Sequence, residues 1–239
     1  MSNLPILYVI ILLLVGLLMP VMGVLNGPKV RELLDSHPEK RISVYFQTIV
    51  MLILMGGLVL IAMWLNQHSL DAIGAQFLTN GVSLSVLLVI CLGFLLLINL
   101  INSKRHWLRG LKHTYHQVMY ILPASSREYR TSILMAFAAG FSEEIVFRGF
   151  LFHQMTLFIP IMPSVILVNV IFGLCHWGTG FRNASWSFLL GVIWCLIFLW
   201  TGSLWIPVLT HILVDLLSMT LGYQINRLSR DTLTQSADS

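Results

Sequence analysis

Long apolar stretches separated by short polar ones set the pattern of this chain. They fall near 4–25, 43–65, 82–101, 131–156, 161–178, 184–201 and 203–222. A helix rises about 1.5 Å per residue, so roughly 20 apolar residues cross the ~30 Å hydrocarbon layer of a bilayer. The pattern predicts an all-α fold, a polytopic transmembrane helical bundle of about seven membrane-spanning helices. The first, second, third and sixth stretches contain no Asp, Glu, Lys, Arg or His, whereas the fourth, fifth and seventh do. That contrast divides the chain into a three-span N-terminal region (1–101), a linker (102–130), a four-span core (131–222) and a polar tail (223–239). The first three spans read as ordinary lipid-compatible helices, and the core holds every intramembrane ionisable group.

The linker has its own periodicity. Trp107, Leu111, Tyr115, Val118, Met119 and Leu122 recur at near-helical spacing, opposite Lys104, Arg105, Arg109, Lys112, His113 and His116. This predicts an amphipathic helix in the cytoplasmic interface, ended by Pro123 and the Ala-Ser-Ser that follows. It serves either as a plain basic linker or as a gate beside a substrate entrance.

Composition strengthens the membrane assignment. Of 239 residues, 57% are hydrophobic and 10% charged, against about 25% charged in soluble domains. The net charge of +4 matters less than where its cations sit. Lys29, Arg31, Lys40 and Arg41 fall in the first loop, and Lys104, Arg105, Arg109, Lys112, Arg127 and Arg130 in the third. Arg182 is in the fifth loop, with Arg227 and Arg230 in the tail. With seven spans, all of these lie on one side, and basic loops mark the cytoplasm. The expected protein is multi-pass in the cell (inner) membrane, N-terminus outside and C-terminus cytoplasmic. A nucleic-acid partner would need a soluble basic domain, which the pattern lacks. Cys91, Cys175 and Cys195 sit in apolar segments without paired spacing, so neither a disulfide framework nor a zinc knuckle is expected. The first stretch lacks a basic n-region and a small-residue cleavage site, and it reads as a retained span.

Against this background a few polar positions stand out. Glu143, Glu144 and Arg148 lie in the middle of the fourth stretch. A charge at a helix centre costs about 2.5–3.5 kcal/mol on insertion scales, so three of them call for pairing or a function. Glu144 and Arg148 are four residues apart and share a helix face, while Glu143 is rotated by about 100° and lacks that partner. The spacing assigns Glu144–Arg148 to support and frees Glu143 to act as a general base. A buried ion network that fixes helix packing is the competing explanation. His176 ends the fifth stretch, where a histidine beside a tryptophan also suits the interface. His211 and Asp215, again four apart, share a face of the seventh, as a functional pair or a packing pair. Together these groups place acid, base and imidazole on three helices. One glutamate and two histidines can activate water directly or with a divalent metal such as zinc. His153, near the outer end of its helix, reads as interfacial.

These residues resemble the CAAX prenyl protease and bacteriocin-processing membrane proteins, also called the Abi family. The string EEIVFRG matches that family's Glu-Glu-x-x-x-Arg motif, Phe172 to His176 its Phe-x-x-x-His motif, and His211 to Asp215 its His-x-x-x-Asn/Asp motif. The resemblance implies a helical bundle around a polar cavity open to the cytoplasm, with Glu143 activating water and His176 and His211 completing the site. In some proposals for the family the histidines bind metal, which implies His176 and His211, with Glu143, as its ligands. Position 215 would help bind the oxyanion. Many members carry Asn there, and an ionised Asp215 cannot donate, so it must be protonated or instead orient His211.

The expected activity is an endopeptidase acting on a membrane-associated protein or peptide. The alternatives are a non-proteolytic membrane scaffold or bacteriocin self-immunity protein of the same fold, and a transporter, which the missing repeat symmetry disfavours.

Overall fold

The computed structural model describes residues 5–75, 81–103, 110, 111, 113 and 115–237. Among them the chain is all-helical, with seven long helices and no strand. α1 runs Ile6–Ser36 and α2 Arg41–Leu65. α3 is Gly81–Ser103. α4 begins as Ser126–Glu144 and continues without a break through Ile145–Phe152 and His153–Thr156. α5 is Ile161–Cys175, α6 Phe181–Thr201 and α7 Trp205–Ala237.

Five of these, α1, α2, α3, α6 and α7, are long and apolar enough to cross a membrane. The remaining two of the seven expected spans are the pair at the chemical centre. α4 carries three charged side chains mid-helix, and α5 has only 15 residues. The outer surface supports the same reading. Ile6 is 80% exposed, Trp64 75% and Val89 69%. Contiguous apolar surface of this extent belongs against lipid, not water. The protein is an integral membrane protein.

The core lies where α4, α5, α6 and α7 meet, around Phe147, Leu151, Val168, Phe172, Trp194 and Ile212. α1 and α2 also bear on it, so they are more than lipid-compatible spans. Gly23 and Gly27, one turn apart on α1, press against the chain just past α5. A Cβ on Gly23 would stand 2.5 Å from the Cys175 carbonyl oxygen, and one on Gly27 would overlap the Gly178 backbone. This small-xxx-small pair lets α1 brace the turn that holds His176.

Helix starts and stops differ from the pattern-based boundaries for local reasons. α4 starts five residues before 131, because Ser125 and Glu128 form a reciprocal capping box. Glu128 Oε2 also accepts from the backbone of Ala124 at 2.6 Å and from Arg41 Nη1 at 2.8 Å. Arg41 Nε donates to the Tyr120 carbonyl, and the Tyr45 hydroxyl to that of Ile121. α2 thus clamps the turn that launches α4. α7 continues helically through 223–237, where the sequence boundaries place a separate tail. No Gly or Pro follows Gly222 to stop it, and Ile225 and Leu228 still find apolar neighbours.

In the linker, Lys104, Arg105, Trp107, Arg109 and Lys112 lie outside the described residues. Gly110, Leu111, His113 and Tyr115 are helical, and 116–121 form turns ahead of Pro123. Leu111 and Tyr115 pack on Leu217, Leu221 and Leu228 of α7 or its neighbours in that cluster, while His113 and His116 stay exposed. Over these positions the two faces divide as the spacing predicts.

Candidate active site

α4 supplies three groups from one face region. Glu144 and Arg148 are fully buried, and Arg148 Nη1 donates to Glu144 Oε1 at 2.9 Å. Residues 145–152 are wound as a π-helix, a form enriched at functional sites. The wider turn changes the phase of the side chains after Glu144, yet Arg148 still reaches it. The other side of the guanidinium is held by α5, where Asn169 Oδ1 accepts from Nη2 at 3.0 Å. Asn169 is itself fixed by donating to the Val165 carbonyl at 2.8 Å. Arg148 also lies over two aromatic faces, 4.7 Å from the Phe172 centroid and 5.4 Å from that of Trp194. Gly191 of α6 makes room for this arrangement, since a Cβ there would collide with Asn169 Oδ1 and stand 2.8 Å from Arg148 Nη2.

α7 brings His211 onto the same carboxylate. Its Nδ1 lies 2.8 Å from Glu144 Oε1. An ionised carboxylate only accepts, so Nδ1 carries the proton and donates. The opposite nitrogen, Nε2, then faces Glu143 Oε2 and Asp215 Oδ2, each at 3.7 Å. Trp194 stacks on the imidazole with centroids 4.1 Å apart and planes at 19°. The ring is therefore held by a hydrogen bond at one edge and an indole on its face.

The two neighbouring glutamates are in different circumstances. Glu144 Oε1 is shared by Arg148 and His211. Glu143 Oε2 is buried and has no hydrogen-bond partner among the described residues. Asp215 keeps more contact with its surroundings, its side chain 29% exposed against 15% for Glu143.

His176 follows the last residue of α5. Its Nδ1 donates to the Phe172 carbonyl at 2.9 Å, which fixes the tautomer and leaves Nε2 as the free acceptor. The Phe172 ring touches both imidazoles, with centroids 4.7 Å from His176 and 6.2 Å from His211. His176 makes no hydrogen bond to Glu143, His211 or Asp215 among the described residues. It joins the cluster through Phe172.

Glu143, Glu144, Arg148, His211 and Asp215 thus lie together, and His176 borders them. His153 stands apart, lining a small cavity with Tyr8, His68 and Gln154. The orienting partner of His211 is Glu144; Asp215 meets the other nitrogen. Sequence reading missed Asn169 and Trp194. A metal ion requires at least three converging protein donors in a catalytic zinc site. Among the described residues no three His, Cys, Asp or Glu side chains are disposed to hold one. His176 presents a free Nε2 and His211 an Nε2 that faces Glu143 and Asp215, but with Glu143 the two histidines do not complete such a set.

Residues 126–217, from the first residue of α4 into α7, match the family model described as type II CAAX prenyl endopeptidase Rce1-like. Over this segment the chain is similar to the Rce1-like endopeptidases. The segment contains all six predicted site residues and both of the missed ones, and the match supports the family resemblance drawn from the three motifs. No curated protein and no solved structure matches the chain.

Proposed function

We propose that the protein is an intramembrane endopeptidase that hydrolyses a peptide bond of a membrane-associated protein or peptide, using a water activated by Glu143. The observation that carries this reading is the asymmetry of the adjacent carboxylates. Glu144 is committed through Oε1 to both Arg148 and His211 and leaves only its Oε2 unpartnered, while Glu143 Oε2 faces the same imidazole with no hydrogen bond of its own. A positioned carboxylate sheltered from water is suited to general-base work.

In this mechanism Glu143 takes a proton from water and the water oxygen bonds to the scissile carbonyl carbon. The proton then passes to the departing amine as the C–N bond breaks. His211, gripped by Glu144 and Trp194, provides an Nε2–H for the oxyanion when the ring is protonated. Asp215, an acceptor when ionised, favours that imidazolium instead of binding the oxyanion itself. His176 presents its free Nε2 to the substrate or the water. The basic loops and tail support a cytoplasmic C-terminus, and in that orientation cleavage takes place at the cytoplasmic half of the bilayer.

The test compares peptide termini in membranes from cells carrying the wild type, a deletion and Glu143→Gln. The expected result is at least one terminus present only with the wild type. Identical termini in all three, with the Glu143→Gln protein folded in the membrane, would reject the mechanism and favour a scaffold or immunity role.

A further inference from the structure

A cavity of about 330 Å³ lies between the turn before α4, the start of α6 and the middle of α7. Its walls include Tyr115, Gln117, Arg182, Asn183, Leu190 and Ser218. Two of these stand one helical turn from residues of the candidate site. Ser218 is three residues beyond Asp215 and seven beyond His211 on α7, so the three share a helix face. Leu190 is one turn before Trp194, the residue stacked on His211. A third connection runs along the rim. Asn183 Nδ2 donates to Thr179 Oγ1 at 2.7 Å, and Thr179 Oγ1 to the His176 carbonyl at 2.7 Å.

The chemistry of the lining is specific. Arg182 is the charged residue among the lining residues, and it is exposed at the edge. Gln117 Oε1 is buried with no hydrogen-bond partner among the described residues. Its carboxamide fits beside Gly180, where φ is +111° and a Cβ would approach Oε1 to 3.0 Å. Among the described residues the cavity thus presents one cation, one unsatisfied acceptor and an apolar wall of Leu111, Val118, Trp186 and Leu190. The phosphate of phosphatidic acid would satisfy the cation but has no N–H for Gln117, and the ammonium N–H groups of a phosphatidylethanolamine headgroup would bring a second cation beside Arg182. A polypeptide segment offers a backbone N–H to Gln117 and, where it carries Asp or Glu, an anion to Arg182.

We propose that this cavity is the docking pocket for the substrate chain beside the scissile bond, and that Arg182 selects an acidic residue there. The proposal rests on the protease reading for its connection to a scissile bond. Binding is separable from chemistry, because Arg182 and Gln117 lie outside the catalytic cluster.

The experiment uses full-length Glu143→Gln protein in phosphatidylcholine vesicles. The probe is a pool of membrane-anchored peptides randomised at four consecutive positions next to an apolar segment. Bound peptides are recovered and sequenced. The expected result is enrichment of Asp and Glu over Lys and Arg by about two- to fivefold at one position, as one charge pair at an exposed site provides. Arg182→Gln should abolish that enrichment and Arg182→Glu should reverse it, with helical content and detergent-solubilised yield unchanged for both. Absence of enrichment, or enrichment that survives Arg182→Glu, overturns the proposal. So does a preference that moves to added phosphatidic acid and leaves the peptides unsorted. If acidic peptides bind through Arg182 but the wild type cuts none of the recovered sequences, the pocket stands as a peptide site and the protease reading falls.

Discussion

Arg148 is a fully buried cation with two kinds of polar partner, a carboxylate on its own helix and a carboxamide on the next. Truncating one partner of such a group leaves the other without compensation. Asn169→Leu is therefore expected to cost about 1–3 kcal/mol, through the unpaired Nη2. It should appear as a lower midpoint of thermal unfolding for the purified protein in detergent. Trp194 has a different task, which is to hold the His211 ring flat against its face. Trp194→Phe keeps an aromatic face and should retain most activity. Trp194→Leu should lower kcat about tenfold or more at nearly unchanged KM, since small misplacements of a catalytic group cost that much. Glu143, Glu144, Arg148, His176, His211 and Asp215 were legible in the sequence because an ionisable group in an apolar stretch has a known cost. Asn169 and Trp194 were not, because an uncharged amide and an indole are ordinary in such stretches. The available signal was spacing, since Asn169, Phe172 and His176 recur at three and four residues and share the face of α5 that meets Arg148.

At the level of elements, the site depends on how closely helices approach. α1 reaches the His176 turn through Gly23 and Gly27, whose missing side chains allow backbone contact. Gly27→Leu should force α1 away and sharply reduce the monodisperse fraction in size-exclusion chromatography. Gly57→Leu, on α2 with open space around it, should leave that fraction unchanged. The Arg41–Glu128 pair ties α2 to the start of α4. Either single change to an apolar residue should destabilise by about 3–5 kcal/mol, and the double change by less than the sum. Helix number and order were legible from apolar run length. The support given by α1 and α2 was not, since a Gly-x-x-x-Gly pair does not name its partner. The start of α4 was readable in principle from Ser125 and Glu128, whose capping box precedes the apolar run.

For the whole molecule, the pattern of basic residues predicts one orientation. Thirteen of the fourteen Lys and Arg residues fall in loops or tail on the side assigned to the cytoplasm, and Arg148 is the exception. In a background with the three native cysteines replaced by serine, Ser69→Cys should react with a membrane-impermeant thiol reagent added to intact cells. Ser126→Cys should react only after lysis, and the reverse outcome would invert the topology. The membrane setting was legible from composition alone, whereas the docking cavity was not, because its walls come from three segments far apart in the chain. The central claim is hydrolysis by a water that Glu143 activates. Its most direct measurement is mass spectrometry of membranes incubated in ¹⁸O-water. With the wild type, a new peptide C-terminus carrying ¹⁸O in its carboxyl group should accumulate, and with Glu143→Gln it should be absent. The same labelled terminus forming at equal rate with Glu143→Gln would contradict the account.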